Sequence, residues 1–254
     1  MSDEVLVERR NGVQLITINR PDARNALNAA VARAVTEAVD ELDSSDDLRV
    51  GVLTGAGGTF SSGMDLKAFL RGEDPVIPGR GMCGITETPP RKPLIAAVEG
   101  WALAGGFELM LACDLVVAAR TARFGVPEVK RALIAGGGGV LVLPRRIPYA
   151  IAMELALTGD PIDAERAAQL GLVNRLVEEG GAVAGALELA ATIAANGPLA
   201  VAASKQVVRH SSDWAVDEGW RAQEAFTMPI FDSEDAKEGA TAFAERRDPV
   251  WRGR

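Results

Sequence analysis

The amino-acid sequence predicts an α/β fold in which most neighbouring strands run parallel. Three observations predict it. Short apolar runs recur along the chain as far as Val177, segments with a helical spacing of apolar residues separate them, and Gly-rich turns follow several of the runs. An alternation of strands and helices is typical of βαβ units, whose strands pair in parallel.

The first predicted elements are a hairpin and a capped helix. Alternating apolar runs at 5–9 and 13–18 flank Asn11 and Gly12, and Asn-Gly between such runs predicts a two-residue hairpin turn. Asn28 is expected to cap the helix that follows. The apolar face of that helix consists of Val31, Val35, Val39 and Leu42.

Four further strands are predicted, at 49–54, 93–98, 115–119 and 172–177. The segment 71–91 between them is rich in Gly and Pro and lacks periodicity. We interpret it either as a mobile loop over a functional site or as a surface excursion.

The pattern changes to helices alone from residue 197 onward. Helices are expected to begin at Pro198, at Ser212 or Asp213, and after Ser233, the last with Arg246 and Arg247 in its final turn. We therefore predict a core domain at 1–196 and a helical C-terminal region at 197–254. The large apolar residues of the C-terminal region favour packing on another subunit over packing on the core domain of the same chain.

Composition and charge exclude several classes of protein. Hydrophobic residues make up 48% and charged residues 24% of the 254, which is typical of a globular chain and excludes wholesale disorder. The formal net charge is −8, so general binding of nucleic acid is not expected, because an acidic surface repels polyphosphate. Glu108 and Asp114 interrupt the longest apolar stretch, 101–119, so no membrane-spanning helix is predicted.

The cysteine and histidine content restricts the chemistry. Cys83 and Cys113 form no CxxC motif and the first residues carry no apolar signal segment, so a reducing, cytoplasmic location is expected. His210 is the single histidine of the sequence, which makes a Ser-His-Asp triad or a multi-histidine zinc site hard to build. Carboxylates and backbone dipoles are therefore expected to carry any catalysis.

Two Gly-containing turns precede predicted helices. In the segment FSSGMDL, at 60–66, the end of a strand leads into a helix at Asp65; in GWALAGGFE, at 100–108, Gly105 and Gly106 stand at a helix start. Free N–H groups at such positions can hold an anion or a developing oxyanion. Ordinary strand–helix turns show the same pattern, and that alternative stays open on these residues alone.

Two glutamates lie near these turns. Glu108 is inside an apolar segment, and Glu128 follows the stiffening Pro127. An unpartnered carboxylate in apolar surroundings has a raised pKa and works as an acid or base near neutral pH. The two could flank one substrate, one delivering a proton while the other removes one. A partly exposed Glu108, favoured only by the helix dipole, is the alternative.

Four consecutive glycines at 136–139 are a further candidate feature. Such a run can cradle a phosphate, although no GK[ST] follows it and it is therefore not a Walker loop. The alternative is a loop that passes close to a ligand or to Glu128.

Together these segments resemble the enoyl-CoA hydratase/isomerase family, the crotonase superfamily, over nearly the whole chain. The resemblance includes INRPDARNALN at 18–28, FSSGMDL, GWALAGGFELMLACDL, FGVPEVKRALIAGGGG, and LTGDPIDAERAAQLGLVNRLV at 157–177. The stretch from GITETPPRKPLIAAVEG to AMELALTGD is most similar to the carnitinyl-CoA dehydratase-like branch.

The resemblance implies a fold and an assembly. The implied fold is the crotonase (ClpP-like) spiral of β-β-α repeats with a helical C-terminal oligomerisation region. The implied assembly is a homotrimer, or a hexamer built as a dimer of trimers. The implied partner is an acyl-CoA thioester, with no nucleic acid and no membrane.

The resemblance also implies a mechanism. The thioester oxygen would lie between the backbone N–H groups of Met64 and Gly105, the oxyanion hole. Glu108 would deprotonate a water that attacks C3 of a 2-enoyl-CoA, and Glu128 would protonate C2. The expected function is therefore reversible hydration of a 2-enoyl-CoA to a 3-hydroxyacyl-CoA.

Residues that would contact CoA also follow from the resemblance by motif position. CoA is expected as part of the substrate, with no permanently bound cofactor and no metal. The expected contacts are Arg24, Ala26, Ser62, Asp65, Leu66, Lys67 and Gly106, with Phe243 and Arg246 closing over the adenine end from a neighbouring subunit.

Two alternatives to hydration stay open. Other family members use the same oxyanion hole for isomerisation or other enolate chemistry, often without one or both acids. A non-catalytic acyl-CoA-binding protein would keep the CoA contacts but would not need both Glu108 and Glu128, so the presence of both favours an enzyme. Acyl groups from short chains to steroid side chains fit the sequence.

Overall fold

The computed structural model describes residues 4–254. The strands are β1 (Val5–Arg10), β2 (Val13–Ile18), β3 (Val50–Gly55), β4 (Val76–Ile77), β5 (Gly81–Met82), β6 (Leu94–Val98), β7 (Trp101–Leu103), β8 (Leu115–Ala119), β9 (Arg123–Gly125), β10 (Ile162–Asp163) and β11 (Arg175–Val177). The helices are α1 (Ala29–Ser44), α2 (Leu66–Phe69), α3 (Gly105–Ala112), α4 (Gly139–Arg146), α5 (Tyr149–Thr158), α6 (Ala164–Gln169), α7 (Ala182–Ala194), α8 (Pro198–His210), α9 (Gly219–Ala222), α10 (Glu224–Phe231) and α11 (Glu234–Glu245).

The main sheet has six strands in the order β1-β2-β3-β6-β8-β11. β1 and β2 are antiparallel, and every later neighbour pair is parallel. The hairpin turn has positive φ at both Asn11 (52°) and Gly12 (77°), as a type I′ turn requires. The predicted α/β class, parallel pairing and hairpin are confirmed.

A second layer of strands makes the β-β-α repeat visible. β6 lies in the main sheet, β7 lies in a three-stranded sheet with β9 and β10, and α3 follows β7. β8 and β9 repeat that step. Between β3 and α2, Ser61 forms an isolated parallel bridge with Ala102 of β7. The chain thus winds through both sheets once per repeat, which is the expected spiral.

Apolar residues cover both faces of the main sheet. On one face α1 packs on the hairpin, and its predicted cap is confirmed because the Asn28 side chain accepts a hydrogen bond of 2.8 Å from the Val31 N–H. On the other face α7 packs on β3, β6 and β8. α7 approaches closely because its buried positions are small, namely Ala182, Ala186 and Ala190.

Three expectations about element boundaries are wrong. The last strand covers only Arg175–Val177, because Leu172 and Val173 pack into the core as the turn that leaves α6. The helix expected at Ser212 or Asp213 begins at Gly219, after turns in which Trp214 stacks on His210. Arg246 and Arg247 follow α11 rather than lie in its last turn.

Part of the segment 71–91 lies in the interior of the molecule, whereas the positions on either side of it are mostly exposed or half-buried. It contains the β4–β5 hairpin, and Met82, Cys83 and Ile85 are all buried in the main core. Cys83 and Cys113 are free and buried, and burial raises the pKa of both thiols. This segment therefore contributes to the interior of the molecule.

The C-terminal helices pack partly on one another. α8 packs against α10, and the predicted Ser233 cap of α11 is confirmed by a hydrogen bond of 3.0 Å from the Ala236 N–H. Asp235 accepts hydrogen bonds from the N–H groups of Arg252 and Gly253, which pins the following residues to α11. Within residues 4–254 no single helix is long and apolar enough to cross a membrane; α7 and α8 reach that length and composition only together, with a bend of 109° between them.

Candidate active site

The segment that carries Met64 is held between two neighbouring stretches of chain. On one side the Ser61 N–H donates to the Trp101 carbonyl at 2.9 Å, which ties the segment to β7. On the other side the Leu27 N–H donates to the Gly63 carbonyl and the Asp65 N–H donates to the Leu27 carbonyl, both at 2.8 Å. The direction of the Met64 N–H is therefore determined by backbone pairing on both sides.

Gly63 allows this segment to touch the start of α3. Its φ is +93°, and a Cβ added to it would lie 2.8 Å from the Gly105 nitrogen. Only glycine accepts both the conformation and the approach. Among the backbone hydrogen bonds of the loops and caps within residues 4–254, none uses the N–H of Met64 or Gly105. The structure thus brings two free donors together, as the oxyanion-hole prediction requires.

Ala104 aims the second donor. It has φ 52° and ψ −129°, a conformation that an L residue with a Cβ rarely adopts. Its N–H donates to the Gly125 carbonyl at 3.0 Å, and its carbonyl accepts from the Glu108 N–H at 3.0 Å. One hydrogen bond to β9 and one from α3 hold Ala104 in this strained conformation. The conformation in turn sets the direction of the Gly105 N–H.

Glu108 lies one turn into α3 and is buried, with 3% of its surface exposed. Its Oε1 accepts a hydrogen bond of 2.8 Å from the Gly139 N–H. Its pKa is raised from 4.5 to about 7, mainly by burial and also by the charge of Glu128, whereas hydrogen bonds from the N–H groups of Gly139 and Gly137 oppose the rise. The predicted burial and raised pKa of Glu108 are confirmed, and the exposed alternative is wrong.

The four-glycine loop packs on Glu108 rather than on Glu128. A Cβ at Gly137 would lie 2.7 Å from Glu108 Oε2, and one at Gly139 would lie 3.1 Å from Oε1. The loop is free of side chains because a carboxylate fills the space beside it. The prediction of a phosphate cradle is wrong, since this carboxylate occupies the N–H group of Gly139.

Glu128 lies on the 3-10 turn Pro127–Arg131. Its Oε2 is buried and has no hydrogen-bond partner within the described chain. Burial raises its pKa, opposed by its own backbone N–H and by the charge of Arg131. A buried oxygen without a partner is costly, so this atom is poised for a ligand or a proton.

Met82 is a site residue that the sequence did not reveal. Its Sδ lies 2.6 Å from where a Cβ on Gly105 would be, and its Cε lies 3.1 Å from where a Cβ on Gly137 would be. Met82 therefore spans the space between the oxyanion donor and the loop around Glu108. A methionine in a Gly/Pro-rich segment without periodicity carries no sequence signal for this role.

Within residues 4–254, the candidate site consists of two N–H donors without a backbone partner, a carboxyl with a pKa of about 7, and a second carboxyl with one buried oxygen. Residues 8–254 match the sequence profile of the enoyl-CoA hydratase/isomerase family. The chain belongs to this family.

Relatives agree with this assignment over the full length. The chain is 42% identical over 266 residues to the enoyl-CoA hydratase EchA19 of Mycobacterium tuberculosis, covering 99% of this chain and 97% of that protein. It is 43% identical over 263 residues to the carnitinyl-CoA dehydratase of Salmonella typhimurium, covering 100% of both. A crystal structure of an enoyl-CoA hydratase from Mycobacterium tuberculosis superposes with a TM-score of 0.98 at 61% identity, covering 100% of both chains.

Most of the residues expected to contact CoA lie together. The Ser62 N–H donates to the Arg24 carbonyl at 3.0 Å, so the segment 24–26 runs beside 62–67, where Leu66 and Lys67 are exposed. Ala26 is buried in that contact. Gly106 instead packs against Ser61, because a Cβ there would lie 2.4 Å from the Ser61 carbonyl oxygen.

Asp65 holds this region in place. It caps α2 by accepting from the N–H groups of Lys67 and Ala68, and it forms an ion pair of 3.0 Å with Arg20. Although burial raises its pKa, the hydrogen bonds from Ala68 and Arg20 more than offset this effect and hold the pKa below its ordinary value. Arg20 also donates to the Ala26 carbonyl, so one cation joins both CoA segments.

Phe243 and Arg246 are not brought to this cleft within the single chain. Phe243 is 87% exposed on α11, and α11 packs on α10. No hydrogen bond or ion pair of the described residues joins either residue to the segments around Met64 and Glu108. Their expected contact with CoA depends on a second subunit.

No group of three or more His, Cys, Asp or Glu side chains within residues 4–254 has the arrangement of a metal site.

Replacing Ala104 with glycine is expected to stabilise the fold. Glycine adopts φ 52°, ψ −129° without strain, so Ala104→Gly should raise the free energy of unfolding by about 1 kcal/mol. Urea unfolding measures the change. The matched control is Ala191→Gly on the exposed side of α7, which should lose about 0.5–1 kcal/mol. A loss at Ala104 like that of the control would contradict the strain.

The burial of Glu108 should make stability depend on pH. Its pKa of about 7 in the fold exceeds the ordinary 4.5, so the folded state binds the proton more tightly and this contribution to stability is lost as pH rises toward and through 7. The stability of Glu108→Gln relative to wild type should therefore increase by about 2 kcal/mol between pH 5 and pH 8. Denaturant titrations at both pH values test this, with the exposed Glu154→Gln as the control that shows no such trend.

Proposed function

We propose that this protein catalyses the reversible addition of water to a 2-enoyl-CoA, giving a 3-hydroxyacyl-CoA. The observation that carries the proposal is the pairing of Glu108, whose pKa is about 7, with Glu128, whose buried Oε2 has no hydrogen-bond partner within the described chain, beside free N–H donors. Hydration requires both a base for water and an acid for carbon, and two neighbouring carboxyls with raised pKa values can supply them. Hydratases and dehydratases among the relatives support the same reaction class.

The thioester carbonyl would accept hydrogen bonds from the N–H groups of Met64 and Gly105. Attack at C3 moves electrons through the double bond onto the carbonyl oxygen and gives an enolate-like thioester. Donors that are already aimed at that oxygen stabilise the developing charge, each by about 3–4 kcal/mol. The backbone pairing of Met64 and the strained Ala104 keep both donors in place before substrate binds.

The two carboxyls would divide the proton transfers. Glu108, as the carboxylate, accepts a proton from water while the water oxygen bonds to C3. Glu128, as the acid, donates its proton to C2, which restores the thioester carbonyl. In dehydration Glu128 removes the C2 proton and Glu108 protonates the departing hydroxyl. The raised pKa of Glu128 keeps it protonated at a higher pH than an ordinary carboxyl.

Local cations would hold the CoA moiety on an otherwise acidic protein. Arg24 and Lys67 are exposed on neighbouring segments at the edge of the cleft and can approach its phosphates. We propose that Phe243 and Arg246 of a second subunit cover the adenine end. Both are exposed and available for such a contact.

The expected result for catalysis is loss of hydration when either carboxyl is removed. Glu108→Gln and Glu128→Gln should each lower kcat about 10²–10⁴-fold, because each removes a general acid–base group. The loss of ultraviolet absorbance of the conjugated enoyl thioester measures the rate. Glu154→Gln, on the exposed side of α5, is the matched control and should keep full activity.

The pH profile gives an independent check. Hydration should rise as pH increases through about 7, where Glu108 becomes the carboxylate. Activity that survives both glutamine substitutions would contradict the mechanism. Binding of CoA esters without turnover of any 2-enoyl-CoA would favour isomerase or other enolate chemistry, or a non-catalytic acyl-CoA-binding protein.

We also propose that the chain forms a trimer, alone or paired as a hexamer. Large apolar side chains remain exposed on the helical region, namely Val216, Trp220, Phe231 and Phe243. Light scattering at micromolar concentration should give three or six times the chain mass of 26.7 kDa. A monomeric mass would contradict the proposal and would leave Phe243 without a route to the adenine.

A further inference from the structure

A large cavity extends from the catalytic cleft. Its volume is about 1030 Å³, and Glu108 and Gly137 line one end. From there it follows α3 past Leu111 and Ala112 and ends beneath α8. The cavity and the catalytic site therefore share a wall, and a ligand bound beside Glu108 can continue into it.

One face of α8 borders this cavity without packing on the core. The residues on that face recur at helical spacing, namely Gly197, Ala200, Val201, Ser204, Lys205, Val208 and Arg209. No residue of α8 is buried, and Ala200 and Ser204 are exposed although they point toward the body of the molecule. Small side chains on this face therefore leave the space open.

An ion pair at the far side of the cavity holds α8 in position. Lys205, whose side chain is 7% exposed, places its Nζ 2.7 Å from Asp114 Oδ2 and donates to the Lys92 carbonyl at 2.9 Å. Asp114 in turn accepts a hydrogen bond of 2.8 Å from the Leu94 N–H. α8 is thus fixed to the main sheet by a polar contact rather than by filling the gap with apolar side chains.

The size and lining of the cavity match an extended acyl chain. Sites for drug-sized ligands occupy roughly 300–1,000 Å³, so a four-carbon acyl group would leave almost all of this space empty. Leu111, Val142, Ile193 and Val201 give the cavity an aliphatic wall. Its lining also includes polar and charged side chains, among them Arg145, Arg146, Arg209 and Asp213. An apolar chain that begins at C3 beside Glu108 can lie along the aliphatic residues.

We propose that the cavity beneath α8 binds the acyl chain beyond C4, so that the substrates of this enzyme carry long apolar acyl groups. The inference rests on the proposed function in so far as the thioester lies at Met64 and Gly105. Each methylene that leaves water strengthens binding by up to about fourfold, so affinity should rise with chain length until the cavity is filled.

Binding of saturated acyl-CoAs tests the proposal without requiring turnover. Isothermal titration calorimetry gives Kd for butyryl-, octanoyl- and dodecanoyl-CoA. In wild type the affinity should rise at least about tenfold from butyryl to octanoyl. Ala200→Trp, which places an indole in the cavity, should abolish most of that rise. The matched control is Ala191→Trp on the exposed side of α7, which should keep it.

Ser204→Leu narrows the same cavity with a side chain smaller than the indole of Ala200→Trp. It is the replacement variant if Ala200→Trp does not fold. The proposal would be overturned if Kd did not change with acyl chain length, or if both narrowing variants kept the rise in affinity with chain length. A Kd that does not change with chain length is also the result expected if a segment of a second subunit fills the cavity. Long acyl-CoAs that bind as expected but whose 2-enoyl forms are not hydrated would refute the proposed function and leave the acyl cavity standing.

Discussion

The contact between Gly63 and the start of α3 is the constraint on which the rest of the site depends. Two segments separated by forty residues meet so closely that a single added Cβ would collide with the Gly105 nitrogen. The bridge from Ser61 to Ala102 and the pairing of Leu27 with Met64 create this approach. Because backbone contacts create this approach, the N–H groups of Met64 and Gly105 are positioned by the fold and not by flexible side chains.

Burial then determines what the two carboxyls can do. Glu108 and Glu128 have raised pKa values for the same first reason, desolvation, but their hydrogen bonds differ. Glu108 is held by N–H groups of the glycine loop, which favour its charged form, whereas the Oε2 of Glu128 has no partner within the described chain. Both carboxyls therefore hold a proton at a higher pH than an ordinary glutamate does.

Local signals explain which parts could be predicted from the sequence. The Asn11-Gly12 turn, the Asn28 and Ser233 caps, the helix start at Asp65 and the apolar strands each depend on residues close in sequence. The roles of Met64, Gly105, Glu108 and Glu128 come from motif resemblance and stay predictions. Packing between distant segments was less accessible. Met82 enters the site only because the β4–β5 hairpin turns inward, and the glycine loop meets Glu108 through tertiary packing that spacing does not encode. Leu172 and Val173 have strand-like composition, yet they fill the core from a turn.

The side-chain-free loop at 136–139 has an evolutionary consequence. Any side chain at Gly137 would displace the carboxyl of Glu108. Substitutions in this loop therefore cannot change the substrate preference without also moving Glu108. The α8 face that lines the cavity carries neither Glu108 nor Glu128, and its Ala200 and Ser204 are exposed. In the proposed acyl site, single substitutions at these two positions would change the preferred acyl group while the glycine loop stays unchanged.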